Sequence, residues 1–427
     1  MQTETNEAPS GAAKETPSAV QINPVPRVSI QAFCETQDIA SIVQAAINDR
    51  RMNKAHVKLH MGGAPAAVEA YRSAPTPNVI VLEATHDRNA LIGYLDELSE
   101  FCDAGTKVIV CGKVNDIILY RQLMLRGVSE YLVAPFTVID FVQAVSHLYN
   151  APGSNPVGRV IAVIGAKGGV GASTLAHNVA WSIASDLDTA TIIADMDLGF
   201  GTAGLDFNQD PPQGMAEAVF APDRVDANLV DRLLSKCSDN LSLLAAPATL
   251  DRLYDFSETA FDAIVDIMRA STPCVVLDLP HAWTAWTRRA LVSADEVVIV
   301  AAPDLANLRN AKNILDNIRG ARPNDHRPRL VLNGVGLLKR PEIAVADFTK
   351  TVELEPMAVI PHDGKLFGAA ANNGQMIAEI DANGKVAELY ADIARAITGK
   401  AELRKVKRGL FEPLMSRLGR KKTGTAA

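Results

Sequence analysis

Residues 165–174 read Gly-Ala-Lys-Gly-Gly-Val-Gly-Ala-Ser-Thr and lie between an apolar run at 160–164 and a helix-forming stretch at 175–184. Strand, glycine turn and helix in that order make a loop whose backbone N–H groups can crowd around an oxyanion, with the helix N-terminus adding partial positive charge. Such a turn belongs at the carboxyl end of a strand in a buried parallel sheet, so it fixes an α/β architecture before anything else is read. Gly168, Gly169 and Gly171 allow the close approach, and Val170 and Ala172 fill the turn between them and the helix. Ser173 is placed to coordinate Mg²⁺, with Thr174 beside it. A lone glycine turn is more often a tight connection without a ligand. Three glycines at this spacing, with the carboxylates that follow, argue for phosphate binding.

The segment departs from the ordinary phosphate-loop pattern twice: Ala166 stands where the first glycine would be, and Ala172 where the phosphate-gripping lysine would be. Lys167 stands directly ahead of the glycines; an exposed loop lysine is the plain alternative, but it has no packing role between alanine and glycine. Asp195 and Asp197 follow the second strand of this region, and Asp278 ends the apolar run Val275-Val-Leu. Carboxylates at strand ends on the phosphate-loop rim suit a hydrated Mg²⁺, although a strand-end Asp often only caps the next helix. Asn333 and Pro361 end two late strands on the same rim.

The remaining chain divides around residues 150–156, Asn-Ala-Pro-Gly-Ser-Asn-Pro, a polar stretch without periodicity. Before it, short β-branched runs at 28–33, 56–61, 78–83, 107–112 and 131–135 alternate with amphipathic segments, a βα rhythm that packs as a parallel sheet with helices on both faces. After it, nearly all-apolar runs at 160–164, 191–194, 241–246, 274–279, 297–302, 330–333 and 358–360 read as strands buried on both faces. The expected organisation is a disordered tail at 1–26, a first α/β domain at 27–149, a linker at 150–157, a phosphate-loop domain at 158–400 and a basic tail at 401–427. The formal net charge of −7 excludes a surface basic all over, so no specific nucleic-acid partner is expected. Five cysteines, at 34, 102, 111, 237 and 274, lack CxxC pairing, and neither a zinc site nor a disulfide framework is expected. No apolar run is long enough to span a bilayer. The chain is expected in a reducing cytoplasm.

The loop without its second lysine, the segment Asp278-Leu-Pro-His-Ala-Trp283-Thr-Ala-Trp286-Thr-Arg288 and the segment Ala371-Asn-Asn-Gly-Gln-Met-Ile377 together resemble the CpaE/TadZ branch of the ParA/MinD class of deviant P-loop ATPases, over roughly residues 28 to 400. The resemblance implies a receiver-like, flavodoxin-like first domain and a ParA/MinD-like second domain that binds ATP and Mg²⁺. It makes Lys167 a signature lysine that reaches the nucleotide of a dimer partner, and assigns Asp197 to orienting the attacking water. It puts Asp195 and Asp278 with Ser173 around the metal, and Asn333 and Pro361 near the adenine. It further implies a homodimer that helps assemble Flp-type (tight adherence) pili with other assembly and secretion components, at the inner membrane and at a cell pole, with weak or absent hydrolysis. The alternatives are a ParA-like DNA-partitioning or a MinD-like positioning ATPase; the first would want a lysine at 172 and a basic nucleoid-binding surface.

Receiver chemistry itself is thin in the first domain. Glu83 stands where an Asp would accept phosphate, Cys111 where a hydroxyl would stand, and Ala134 where a lysine would precede Pro135. Glu83 is therefore read as structural and the domain as a docking or dimerisation module. At the C-terminus, Leu410, Phe411, Leu414, Met415 and Leu418 form a stripe flanked by eight cations and one acid across 404–422. That pattern suits a helix lying on an anionic membrane, each cation contributing about 1 kcal/mol near the headgroups, and MinD-like proteins use a similar tail.

Overall fold

The computed structural model describes residues 22–85, 88–103, 105–149, 157–250 and 252–400. The expected linker at 150–157, except for its last residue, and the basic tail at 401–427 lie outside the described residues, as do residues 1–21 of the expected N-terminal tail.

Five parallel strands form the first sheet: β1 (Ser29–Cys34), β2 (His56–Met61), β3 (Val79–Ala84), β4 (Lys107–Gly112) and β5 (Glu130–Val133). Their order is β2-β1-β3-β4-β5, that of flavodoxin-like doubly wound sheets. The central strand β3 is buried along its whole length, which is why its apolar residues run without alternation. Apolar clusters cover both faces, one around Phe141, Val43 and Val81, the other around Leu82, Leu123 and Tyr71. One expectation is corrected here. Residues 22–26, read as part of a disordered tail, pack against this domain: Ile22 and Val25 are buried, the Val25 N–H donates to Arg51 O at 2.8 Å, and Ser146 Oγ donates to Asn23 O. Two apolar side chains close to the fold suffice to hold a stretch whose composition alone argued for disorder.

Eight strands form the second sheet: β6 (Arg159–Gly165), β7 (Thr191–Asp195), β8 (Ser235–Lys236), β9 (Leu241–Leu244), β10 (Cys274–Asp278), β11 (Glu296–Ala301), β12 (Arg329–Val335) and β13 (Ala358–Pro361). The order is β13-β12-β11-β6-β10-β7-β9-β8, and every pairing is parallel except β8 with β9. The two-residue β8 escaped the sequence reading because so short a run has no periodicity. Helices Ala172–Ser185 and Lys385–Thr398 cover one face of this sheet, and Ala285–Ser293 and Leu305–Ala321 cover the other. The carboxyl ends of β6, β7, β10, β12 and β13 therefore meet on one rim.

The two sheets are joined at the opposite rim by a buried ionic seam. Arg50, in the turn Arg50–Met52, donates from Nε to Asp325 at 2.9 Å, and from Nη1 to Asp295 at 3.2 Å and to Ser293 O at 3.0 Å. Arg51 bridges Asp49 and Asp325, and Asn324 Nδ2 donates to Asp49. Burial alone would raise the Asp325 carboxyl, but Arg50, Arg322 and Arg51 hold it well below the usual carboxylate range.

Candidate functional site

The phosphate loop leaves β6 at the middle of the second sheet. Gly169 and Gly171 have φ of 77° and 83°, a conformation that side chains rarely adopt. At Gly171 a Cβ would in addition collide with Asn333 Nδ2. Three side chains hold the loop by its carbonyls: His281 Nδ1 lies 2.9 Å from Gly165 O, Asn310 Nδ2 donates to Ala166 O at 2.9 Å, and Asn333 Nδ2 donates to Val170 O at 2.8 Å. With the carbonyls drawn outward, the N–H groups of 168–172 are left for an anion at the N-terminus of Ala172–Ser185. Lys167 and Gly168 are exposed at the mouth, while Ala172, Ser173 and Thr174 are half-buried in the first helical turn.

Asp278 ends β10 beside β6 and is paired in register with Asp195 of β7. Both carboxylates are buried, yet they are used differently. Asp195 Oδ1 accepts the Asp197 N–H at 3.1 Å and Oδ2 accepts the Ala203 N–H at 3.1 Å, so this side chain staples the 196–203 loop; a Cβ at Gly201 would strike it. Burial, then the neighbouring Asp278 charge, push the Asp195 carboxyl up to about 7. Asp278 Oδ1, by contrast, is a buried acceptor with no hydrogen-bond partner. Asp197 is half-buried and accepts the Phe200 N–H at 3.0 Å.

His177 was not singled out in the sequence. It sits one turn after Ser173 on the same helix face and is fully buried. Its Nδ1 is 2.7 Å from Asp206 Oδ2 and its Nε2 is 3.3 Å from Asp278 Oδ2, the second contact being out of line for a good hydrogen bond. Burial opposes a charged ring, but the hydrogen bond to Asp206 and the facing Asp278 carboxylate raise its pKa to about 10. The i, i+4 spacing from Ser173 was the available signal. A single histidine in an otherwise apolar helix reads as core until Asp206 and Asp278 are seen around it.

Asn333 lies in β12 and Pro361 ends β13, two and three strands from β6. Asn333 Oδ1 is buried and has no hydrogen-bond partner. The segment at 371–377 supports the loop from behind: Asn178 Oδ1 accepts the Ile377 N–H at 2.7 Å, while Asn178 Nδ2 donates to Thr174 O at 2.8 Å.

A glycine loop at a helix N-terminus, a metal-side carboxylate with a free oxygen and a strand-end amide, all on one rim of a parallel sheet, define a P-loop nucleotide-binding site. The profile of an AAA domain matches residues 158–330. The septum site-determining protein MinD of Helicobacter pylori is 26% identical over 275 residues, 60% of this chain and 97% of that protein. A ParA family ATPase from Chlorobium tepidum shares the fold at TM-score 0.51 and 24% identity, covering 55% of this chain and 98% of the other. The pilus assembly protein CpaE from Caulobacter crescentus is 43% identical, covering 30% of this chain and 97% of that one, at TM-score 0.29. The chain belongs with the ParA/MinD P-loop ATPases, and CpaE is among the proteins to which it is similar.

Proposed function

We propose that the chain is an ATP-binding switch that dimerises with nucleotide and helps assemble Flp-type pilus machinery at the inner face of the membrane, at a cell pole, with hydrolysis weak or absent. The identity to a pilus assembly protein carries the pilus assignment. The loop supports nucleotide binding with little turnover, because Ser173 and the backbone donors are kept while Ala172 removes the lysine that would stabilise charge on the transferred phosphoryl group.

Mg²⁺ fits the residues present. Among the described residues no group of three or more His, Cys, Asp or Glu side chains makes a protein cage for an ion. A nucleotide-borne Mg²⁺ needs none, since Ser173 would coordinate it directly and the free Asp278 Oδ1 would meet one of its waters, with Asp195 further out. The ion would supply charge neutralisation at the phosphates. Asn333 and Pro361 would border the adenine, Asp197 would orient water, and Lys167 would bridge to the partner's nucleotide.

The domain at 27–149 is assigned as a receiver-like docking module, followed by the linker at 150–157 and the ATPase domain at 158–400. Its β2-β1-β3-β4-β5 order supports that reading, and Glu83 does not support phosphotransfer. The Glu83 carboxylate accepts the N–H groups of Glu35 and Thr36 at 2.7 and 2.9 Å and the Thr36 hydroxyl at 2.6 Å, which fixes it as a cap of the turn after β1. A MinD-like positioning ATPase is the second reading, favoured by the match to nearly the whole of MinD.

The deciding experiment is ATP titration of the purified chain with Mg²⁺, together with its mass in solution with and without ATP. Lys167→Ala should leave the fold intact and weaken the ATP-dependent dimer by a few kcal/mol at most, about the scale of a charge-assisted contact across an interface. A folded chain that binds no ATP at millimolar concentration would leave only a scaffold role.

A further inference from the structure

The excursion between β7 and β9, together with the segment after β9, builds a further concavity. The helix Met215–Phe220, the turn Pro222–Arg224, the helix Ala227–Leu233 and the residues Pro247, Thr249, Arg252 and Tyr254 enclose about 640 Å³. Arg224, Arg232 and Arg252 all line this cavity, and among the described residues none of the three forms an ion pair. Among the described residues Glu217 is the one carboxylate in the lining, and it accepts the Gly214 N–H at 2.8 Å. The Arg252 guanidinium lies over the Phe220 ring, 5.0 Å from its centre, and Tyr254 and Phe256 pack with Phe220.

Three guanidinium groups around one hollow concentrate positive charge in a chain whose net charge is −7, and their planar forks match phosphate oxygens. The same loop that supplies Arg252 also carries Leu250 and Leu253, which are 63% and 92% exposed. A cationic hollow flanked by exposed leucines has the two-part chemistry of a bilayer surface: headgroup phosphate for the arginines, acyl boundary for the leucines. An acidic protein segment would satisfy the arginines but gives Leu253 no role.

We propose that this cavity takes the phosphate headgroup of an anionic lipid while Leu250 and Leu253 enter the acyl boundary. The region between β7 and the helix Asp262–Ser271 then has a membrane contact of its own, apart from the segment at 404–422.

The test is calorimetric titration of the full chain with dihexanoylphosphatidic acid kept monomeric and, separately, with sn-glycerol 3-phosphate. The lipid should bind at least tenfold more tightly than glycerol phosphate. The double substitution Arg232→Ala/Arg252→Ala should weaken lipid binding tenfold or more with ATP affinity unchanged. Leu253→Asn should weaken lipid binding several-fold and leave glycerol phosphate unaffected. Equal affinity for the two ligands, or lipid binding unchanged in the double variant, overturns the proposal. Displacement of the lipid by stoichiometric poly-glutamate peptide would reassign the site to an acidic protein segment.

Discussion

His177 shows how one side chain changes the electrostatics of a whole rim. Its buried ring separates the half-buried Asp206 from the buried Asp278, so His177→Ala leaves Asp278 buried without this partner. The expected loss of stability is about 3–5 kcal/mol, measured by urea denaturation of the nucleotide-free protein. The pH dependence has a definite sign. The folded-state pKa is raised, so the contribution is complete below about 6.5, the ordinary histidine value, and is lost as pH rises towards about 10. Asp195, raised to about 7, acts in the same direction from lower pH, since folding favours its protonated form. Stability should therefore fall from neutral to alkaline pH, and His177→Gln should flatten the upper part of that fall; an unchanged slope would exclude a charged ring. The second residue-scale prediction concerns position 172. Ala172→Lys places an ammonium where the loop lacks one, and nucleotide affinity or turnover should rise; no change in either would mean that this loop does not face the phosphates.

At the scale of elements, every strand longer than two residues was legible, with ends displaced by at most two residues: the buried parallel strands announce themselves as apolar runs, and the exposed edge strand His56–Met61 by its alternation. The phosphate loop was legible for a related reason: positive φ and close backbone contact demand glycine. His281, Asn310 and Asn178 could not be read in the same way. They act on carbonyls and amides brought near by strand order, and polar residues in loops and helices carry no mark of which backbone they will meet. The seam between the sheets was likewise invisible, since Arg50 and Asp325 are 275 positions apart. It nevertheless gives a sharp expectation. Arg50→Ala leaves Asp325 and Asp295 buried with weakened pairing and should cost about 3–5 kcal/mol, read as increased proteolysis near residue 150. Asp325 has a depressed pKa, so its contribution is present above about pH 4 and is lost as pH falls below that. Hydrogen exchange at Arg50–Met52 should rise in acid before the strands of either sheet exchange.

For the whole molecule, location is the property to be explained. No helix among the described residues is long and apolar enough to cross a membrane. The stripe at 410–418, interrupted by Pro413, should hold a single chain only weakly, whereas two copies on the proposed dimer would engage the same surface and should gain about 10²-fold in avidity. Deleting residues 404–427, or Phe411→Glu, should lower sedimentation with anionic vesicles without altering ATP affinity, and higher salt should weaken what remains. Undiminished sedimentation of both variants would move localisation to other surfaces of the chain.

The helix Ala285–Ser293 joins these scales. It starts just after His281, which grips the phosphate loop, and ends at Ser293, whose carbonyl receives Arg50 from the other sheet. Its nine residues span about 14 Å, from the ligand rim to the seam. A rigid rod fixed at both ends cannot tilt at one end alone. Any repositioning of the glycine turn that moves His281 must therefore bend this rod, break the Arg50 bonds or swing the first domain, and a domain swung in that way would turn an occupied pocket into an orientation that a distant partner can read.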